Sequence, residues 1–340
     1  MKIIIIGCGK AGLLHRNIYQ LIFGKANADG EIFYVDRLKN PLWGAYNCDK
    51  SDISEKVYES IEEVISENNL YAEDIIADIC VPAGGMLSTI DACKRNGIRN
   101  CICEKPFVMY KEPQYDINSL LEGMNIIIVK NYLYSKASIK VKEFIEHEHL
   151  TIKSIASNFS KDRRDESYQM RAFETKEDRL SIWEVEVPHL IYLNNFFGEI
   201  PQEILEVKSN DMVFVDKRLK NLGNGKLVYK TKNNIMCSVY SDLESEETIR
   251  KIDINCDRGY SFHIVYPPIP NAEEELLSSL EIKQNGKALE TIYFHDDNNI
   301  YNMLQDYLKI IKDKKTNRVT SISNLIHDSE FMEELVKPEF

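Results

Sequence analysis

The chain has 340 residues, 44% hydrophobic and 28% charged, the balance of a soluble globular protein, and its length suits two domains better than one. A net charge of -12 and a pI near 5.2 argue against a nucleic-acid partner, which needs clustered cations. No apolar run approaches the ~20 residues of a membrane helix. None of the eight cysteines forms a C-x-x-C pair, so a disulfide frame or a zinc site is not expected.

In chain order, "KIIII" is a short apolar run cut off by glycine, the pattern of a buried strand, and a helical pattern follows through Leu13, Leu14 and Ile18. "EIFYVD" is a second strand. A helical stretch near Ser60 to Ser66 leads to the strand "IIADICVP", and "MLSTIDACKRNG" is a helix stopped by Gly97. "RNCICEKP" and "MNIIIVKNY" complete the series. Apolar strands separated by helices require right-handed crossovers and a parallel sheet covered on both faces. Residues 1-130 are therefore expected to form a doubly wound α/β domain.

The rhythm changes after about Lys130. "LTIKSIASNF", "EILEVKSN", "KLVYKT", "IMCSVYSD", "RKIDINCD" and "YSFHIVY" are strands with no helix between most of them. "LEIKQNGKALETIYF" is a hairpin whose Asn285-Gly286 pair suits a type I′ turn. Residues 131-340 are expected to form an α+β domain with a large, mostly antiparallel sheet. A helix over Glu184 to Phe197 opens it, and helices near Ile300 to Ile311 and Ile322 to Val336 close it.

Gly7-Cys8-Gly9-Lys10-Ala11-Gly12 matches G-x-G-x-x-G directly after a strand and at the opening of a helix. The first glycine makes the turn, the second admits a pyrophosphate to the backbone, and the third lets helix and strand pack. The helix start offers amide groups and a positive dipole end to phosphates. Asp36 ends the second strand, 24 residues after Gly12, where a carboxylate bonds a ribose 2′-hydroxyl. NAD is therefore favoured over NADP, with Arg37 leaving NADP open.

With "CEKPF", Cys103 to Phe107, the chain resembles the Gfo/Idh/MocA family of NAD(P)-dependent oxidoreductases, which act mostly on sugars, inositols and related polyols. The resemblance covers the glycine fingerprint, "VPAGGMLSTIDACKRNGIRNCICEKPF", "IIIVKNYLYS" and "PHLIYLNNFFG". It implies that Lys105 exchanges a proton with the substrate hydroxyl. Glu104 would hold the loop near the cofactor, and Pro82 would be a cofactor contact. Asn131 would lie near nicotinamide and substrate, and His189 would be the catalytic histidine. A homo-oligomer, dimer or tetramer, is expected too, and cysteines set in apolar strand-like runs suit reduced thiols in the cytoplasm. Independently, a lysine at the carboxyl end of a parallel strand sits where such sheets bind ligands.

The surroundings of His189 depart from the family pattern. Relatives carry aspartates four residues before the histidine and three after it, where this chain has Val185 and Tyr192. Glu186 would reach the ring if the helix has already begun, as Pro188 suggests, and Glu184 would then lie in the preceding loop. Met86 also departs, standing where many relatives have histidine. Arg163, Arg164 and Tyr168, in "SKDRRDESYQMR", are candidate contacts for a phosphate, a carboxylate or a nucleotide-linked sugar. His147, His149, His263, His295 and His327 show no ligand spacing.

The function these features imply is hydride transfer between NAD(P) and a secondary alcohol or ketone of a sugar, inositol or polyol. Two alternatives stay open. One is reduction of another acceptor (imine, enone or tetrapyrrole), and the other is a non-catalytic NAD sensor.

Overall fold

The computed structural model describes residues 1–26, 30–37, 55–107, 115–164, 181–214, 217–267, 276–313 and 322–336. The chain divides into two compact units, Met1–Val129 with Met303–Phe340, and Lys130–Asn302.

The first unit is built on a parallel sheet. Its strands are β1 (Lys2–Ile6), β2 (Glu31–Val35), β3 (Val57–Tyr58), β4 (Ile75–Ile79), β5 (Asn100–Cys103) and β6 (Asn125–Ile128), in the order β3-β2-β1-β4-β5-β6. Ile3, Ile4 and Ile5 are fully buried, as are Ile75 and Ile79. Successive strand residues face opposite sides, so an unbroken apolar run is what a sheet covered on both faces requires. The helices are α1 (Lys10–Ala26), α2 (Ile61–Asn68), α3 (Met86–Arg95) and α4 (Ile117–Leu121). Ser60 caps α2 by accepting the Glu63 amide, and Gly97, at φ +80°, turns the chain out of α3. Strand order reverses between β1 and β4, which opens a crevice at their carboxyl ends.

The second unit carries α5 (Lys136–His147), β7 (Ile152–Asp162), α6 (Ile182–Val185), α7 (Val187–Phe197), β8 (Pro201–Phe214), β9 (Lys217–Thr231), β10 (Met236–Asp242), β11 (Glu244–Cys256), β12 (Tyr260–Val265), β13 (Ser278–Gln284) and β14 (Lys287–Phe294). These strands form one sheet in the order β14-β13-β12-β11-β7-β10-β9-β8, antiparallel throughout except for the β7–β10 pair. Asn285 and Gly286 both have positive φ, 51° and 77°, as a type I′ turn demands.

Three differences from the sequence reading have physical causes. Helices α8 (Asn299–Lys312) and α9 (Ile322–Val336) form where expected, but the stretch from Met303 onward belongs to the first unit, not the second. Within that unit Tyr307 on α8 donates its hydroxyl to the Ile128 carbonyl at 2.7 Å. β8 and β9 are far longer than their apolar runs, because register shifts absorb the polar, glycine-bearing "KNLGNGK" stretch into the ladder. Glu184 lies not in a loop but in the one-turn helix α6, ahead of α7 and its Pro188. Among the described residues, no helix is long and apolar enough to cross a membrane.

Candidate active site

The glycine loop follows β1. A Cβ on Gly7 would meet the Cys80 carbonyl oxygen at 2.8 Å, and one on Gly12 would stand 2.2 Å from the Gly7 carbonyl oxygen. Gly7 also has φ +96°. The fold itself therefore requires these two glycines. Gly9 is different, since a Cβ there would meet nothing within 4 Å. Its bare backbone faces open space beside the start of α1, and the Leu13 amide bonds back to its carbonyl at 3.0 Å. Asp36, just past β2, accepts the Cys8 amide on Oδ2 at 2.8 Å, which holds the carboxylate against the loop. Arg37 is exposed beside it, and Pro82 precedes a single turn, Ala83–Gly85, after β4. The loop, helix start and acid together fit a dinucleotide: Gly9 leaves room for pyrophosphate, α1 points its positive end there, and Asp36 can meet a ribose.

Lys105 stands two residues past β5, at the same carboxyl edge of the sheet. Its amide bonds to Glu104 Oε2 at 3.0 Å, and the Lys105-Pro106 peptide is cis. The other carboxylate oxygen, Glu104 Oε1, lies 3.3 Å from His15 Nε2, while His15 Nδ1 lies 2.9 Å from Asp78 Oδ2. Both ring nitrogens thus face carboxylate oxygens, and only an imidazolium can donate on both sides. Burial opposes that charge, but Asp78 and Cys80 hold the His15 pKa well above its ordinary value near 6.5. Burial likewise opposes the Glu104 carboxylate, which His15 and Lys105 nevertheless keep below its ordinary range. Cys80 Sγ completes the group, 3.5 Å from His15 Nδ1 and 3.6 Å from Asp78 Oδ1. His15, Asp78 and Cys80 are donor types that can ligate a metal, but an imidazolium has no lone pair to offer.

In the second unit α7 carries His189, half-buried, with its ring edge-on to Tyr132 at a centroid distance of 5.4 Å. The two glutamates before it have other partners. Glu184 Oε2 accepts the Ser181 amide at 2.9 Å in a capping box. Glu186 is 3% exposed and receives Lys161 Nζ and Arg163 Nη2 on the same oxygen, Oε1, the arginine at 2.7 Å. Burial alone would raise the Glu186 pKa; Lys161, Arg163, Arg250 and more weakly His189 hold it well below the carboxylate range. Asn131 is buried and donates to Asn299 Oδ1 at 3.2 Å. Tyr192 is buried as well, with Lys130 Nζ 4.4 Å from its ring centre. Arg164 turns away to a bidentate pair with Asp162, at 3.0 and 2.8 Å. Tyr168 lies outside the described residues.

The sequence reading missed His15, Asp78, Lys161, Arg250 and Tyr132. Parity could have found three of them. Asp78 interrupts an otherwise apolar strand, and Lys161 and Arg250 fall in step with the inward-facing Phe159 and Ile252 of β7 and β11.

No family model and no curated protein matches the chain. Solved structures do. A 3-ketoreductase of Actinomadura kijaniata, solved with NADP and TDP-benzene, is 12% identical with a TM-score of 0.71, over 98% of this chain and 96% of its own. The UDP-N-acetylglucosamine 3-dehydrogenase of Acidithiobacillus ferrooxidans is also 12% identical, with a TM-score of 0.68 over 99% of both chains. At such identities the likeness establishes the fold, a parallel-sheet unit followed by a large mostly antiparallel sheet.

Proposed function

We propose that this protein is a nicotinamide-dependent oxidoreductase that moves hydride between NAD(P) and a secondary alcohol or ketone carbon of a sugar-like substrate. One observation carries the reading: Gly9 leaves open space at the carboxyl edge of the parallel sheet, between the start of α1 and the Asp36 strand, on the edge that also bears Lys105. The glycines at 7 and 12 have packing reasons, whereas Gly9 has none except a ligand's approach. The two solved oxidoreductases of the same fold, a 3-ketoreductase and a UDP-N-acetylglucosamine 3-dehydrogenase, support the reaction class.

When bound, the nicotinamide would accept or deliver the hydride. The chain's own task is the proton of the substrate hydroxyl. Lys105 Nζ is the first candidate to hold it, on a turn fixed by the Glu104 carboxylate. The His189 imidazole is the second, held against Tyr132. Asp36 favours NAD, and the adjacent Arg37 leaves room for NADP.

The test follows NADH and NADPH by fluorescence on mixing with protein, then screens keto-sugars and polyols by absorbance. Saturable binding and turnover, with turnover falling about 10²–10⁴-fold in Lys105→Ala while cofactor binding stays, supports the proposal. Turnover of an imine, enone or tetrapyrrole instead would move the substrate class. Cofactor binding with no turnover of any substrate would make the protein a sensor, and no cofactor binding would end the nicotinamide reading.

A further inference from the structure

The strongest unexplained feature is the grouping of cations around Glu186. Lys161 follows Phe159 on β7 at the spacing of one face, and Arg250 is the residue of β11 paired with Phe159. Arg163 follows two residues after Lys161, its amide bonded to the Leu243 carbonyl at 2.8 Å. Lys161 and Arg163 meet at Glu186 Oε1, and Arg250 donates to the Tyr132 hydroxyl. Behind these polar groups stands an aromatic wall: Tyr132 lies 4.5 Å from Phe159 and 5.2 Å from Tyr266, centre to centre. Among the described residues Lys161 and Arg163 thus share one carboxylate, and the charge of Arg250 acts on it as well.

Drawing several cations together in a partly buried place is costly, which a single ion pair serving stability alone would avoid. The repulsion between the cations shows on Lys161 itself. Burial pushes its pKa well below the lysine range, Glu186 resists, and Arg163 and Arg250 add to the fall. The start of α7, one residue past Glu186, adds more positive potential. Yet the group is not sealed, since the Lys161 and Arg163 side chains keep 13% and 16% of their surface exposed. Cations held side by side by Glu186 and reachable are what an anion-binding site needs.

We propose that Lys161, Arg163 and Arg250 form a binding site for an anionic group of the substrate, a carboxylate or a phosphoryl group. Glu186 is its anchor, holding Lys161 and Arg163 side by side on one oxygen. Arg163 was a candidate from sequence; Lys161 and Arg250 take the places of Arg164 and Tyr168. The inference deepens the oxidoreductase reading by naming the substrate's chemistry.

The test is a titration of the full chain without cofactor, read by emission of Trp183, which is buried three residues before Glu186. The titrants are glucuronate, glucose 6-phosphate and glucose. One anionic sugar is expected to bind at least about tenfold more tightly than glucose, and which one tells carboxylate from phosphoryl. That advantage should vanish in Lys161→Met and Arg250→Met and persist in Lys161→Arg. Should a methionine variant fail to fold by circular dichroism, Arg163→Gln, a change at the most exposed of the three cations, serves in its place. Equal binding of all three sugars, no saturable response to either anion, or an advantage that survives these substitutions overturns the proposal; the last would put the anion elsewhere, as at the glycine loop. NADH binding is measured separately, so its failure counts against the nicotinamide reading alone.

Discussion

His15 and Asp78 form a buried ion pair, Nδ1 to Oδ2 at 2.9 Å, with 1% and 0% of their side chains exposed. Because Glu104 takes the opposite nitrogen, one imidazolium ties α1, which follows the glycine loop, to the turn that bears Lys105. His15→Gln removes the charge and leaves a buried carboxylate, Asp78, and a half-buried one, Glu104, in each other's field. Breaking such a pair costs about 3–5 kcal/mol, readable as a shift in the urea midpoint.

The same clamp has a pH signature. The folded His15 pKa is raised, so its contribution is complete below the ordinary value near 6.5 and is lost as pH rises through the raised folded value. The folded Glu104 pKa is lowered, so its contribution is present above the ordinary value of 4.5 and is lost as pH falls through the folded one. The stability gap between the natural chain and His15→Gln should therefore be widest between about pH 5 and 6.5, narrowing on either side. A gap that stayed flat into strongly alkaline solution would mean that the ring is neutral.

Gly9 and Gly12 separate ligand from fold. Gly12→Ala drives a Cβ to 2.2 Å from a backbone carbonyl oxygen, which no rotamer relieves. A loss at or above the top of the usual overpacking range, about 3 kcal/mol, is expected in thermal or urea unfolding. Gly9→Ala places its methyl group in open space. Its unfolding midpoint should hardly move, while NADH affinity falls about tenfold or more, because a methyl group stands where pyrophosphate would approach. Equal affinity for NADH in Gly9→Ala would remove the main support for a dinucleotide at this loop.

Asp36 gives a third measurement. Its carboxylate is oriented by the Cys8 amide at 2.8 Å, and Arg37 is the next residue. Asp36→Ser removes the negative charge that a 2′-phosphate would meet and leaves the guanidinium. The ratio of NADPH to NADH affinity should rise by about tenfold, read by cofactor fluorescence. An unchanged ratio would place the ribose elsewhere.

Local pattern explains what was legible in the sequence. The glycine loop, the "IIADI" and "NCIC" strands and the Asn285-Gly286 turn are each set by residues within a few positions of one another. The charged clusters are not. His15 meets Asp78 across 63 residues, and Glu186 draws Lys161 and Arg163 from the strand before a stretch of chain that includes Tyr168. Nothing in "WEVEVPH" says that Glu184 caps its own helix while Glu186 faces cations, because that depends on which strand end packs behind α7. The homing of the last two helices was hidden for the same reason: an amphipathic helix states that it will be covered, not by what.

The two glutamates before His189 can be told apart in solution. Glu184 closes a capping box with Ser181, so Glu184→Ala should cost about 1 kcal/mol, nearly constant with pH above the carboxylate range. Glu186→Gln leaves the half-buried Lys161 and Arg163 beside Arg250 without the described carboxylate, and the expected cost is about 3 kcal/mol near neutral pH. The sign of its pH dependence follows from Lys161, whose folded pKa is already depressed and falls further when Glu186 is neutralised. Between that folded value and the ordinary one near 10.5 the unfolded chain binds the extra proton, so stability of the variant rises with pH. The deficit of Glu186→Gln should therefore shrink as pH rises from the variant's lower Lys161 value to that of the natural chain, whereas that of Glu184→Ala should not. Parallel curves for the two variants would show that Glu186 carries no more charge compensation than a helix cap, and the anion site built on it would lose its anchor.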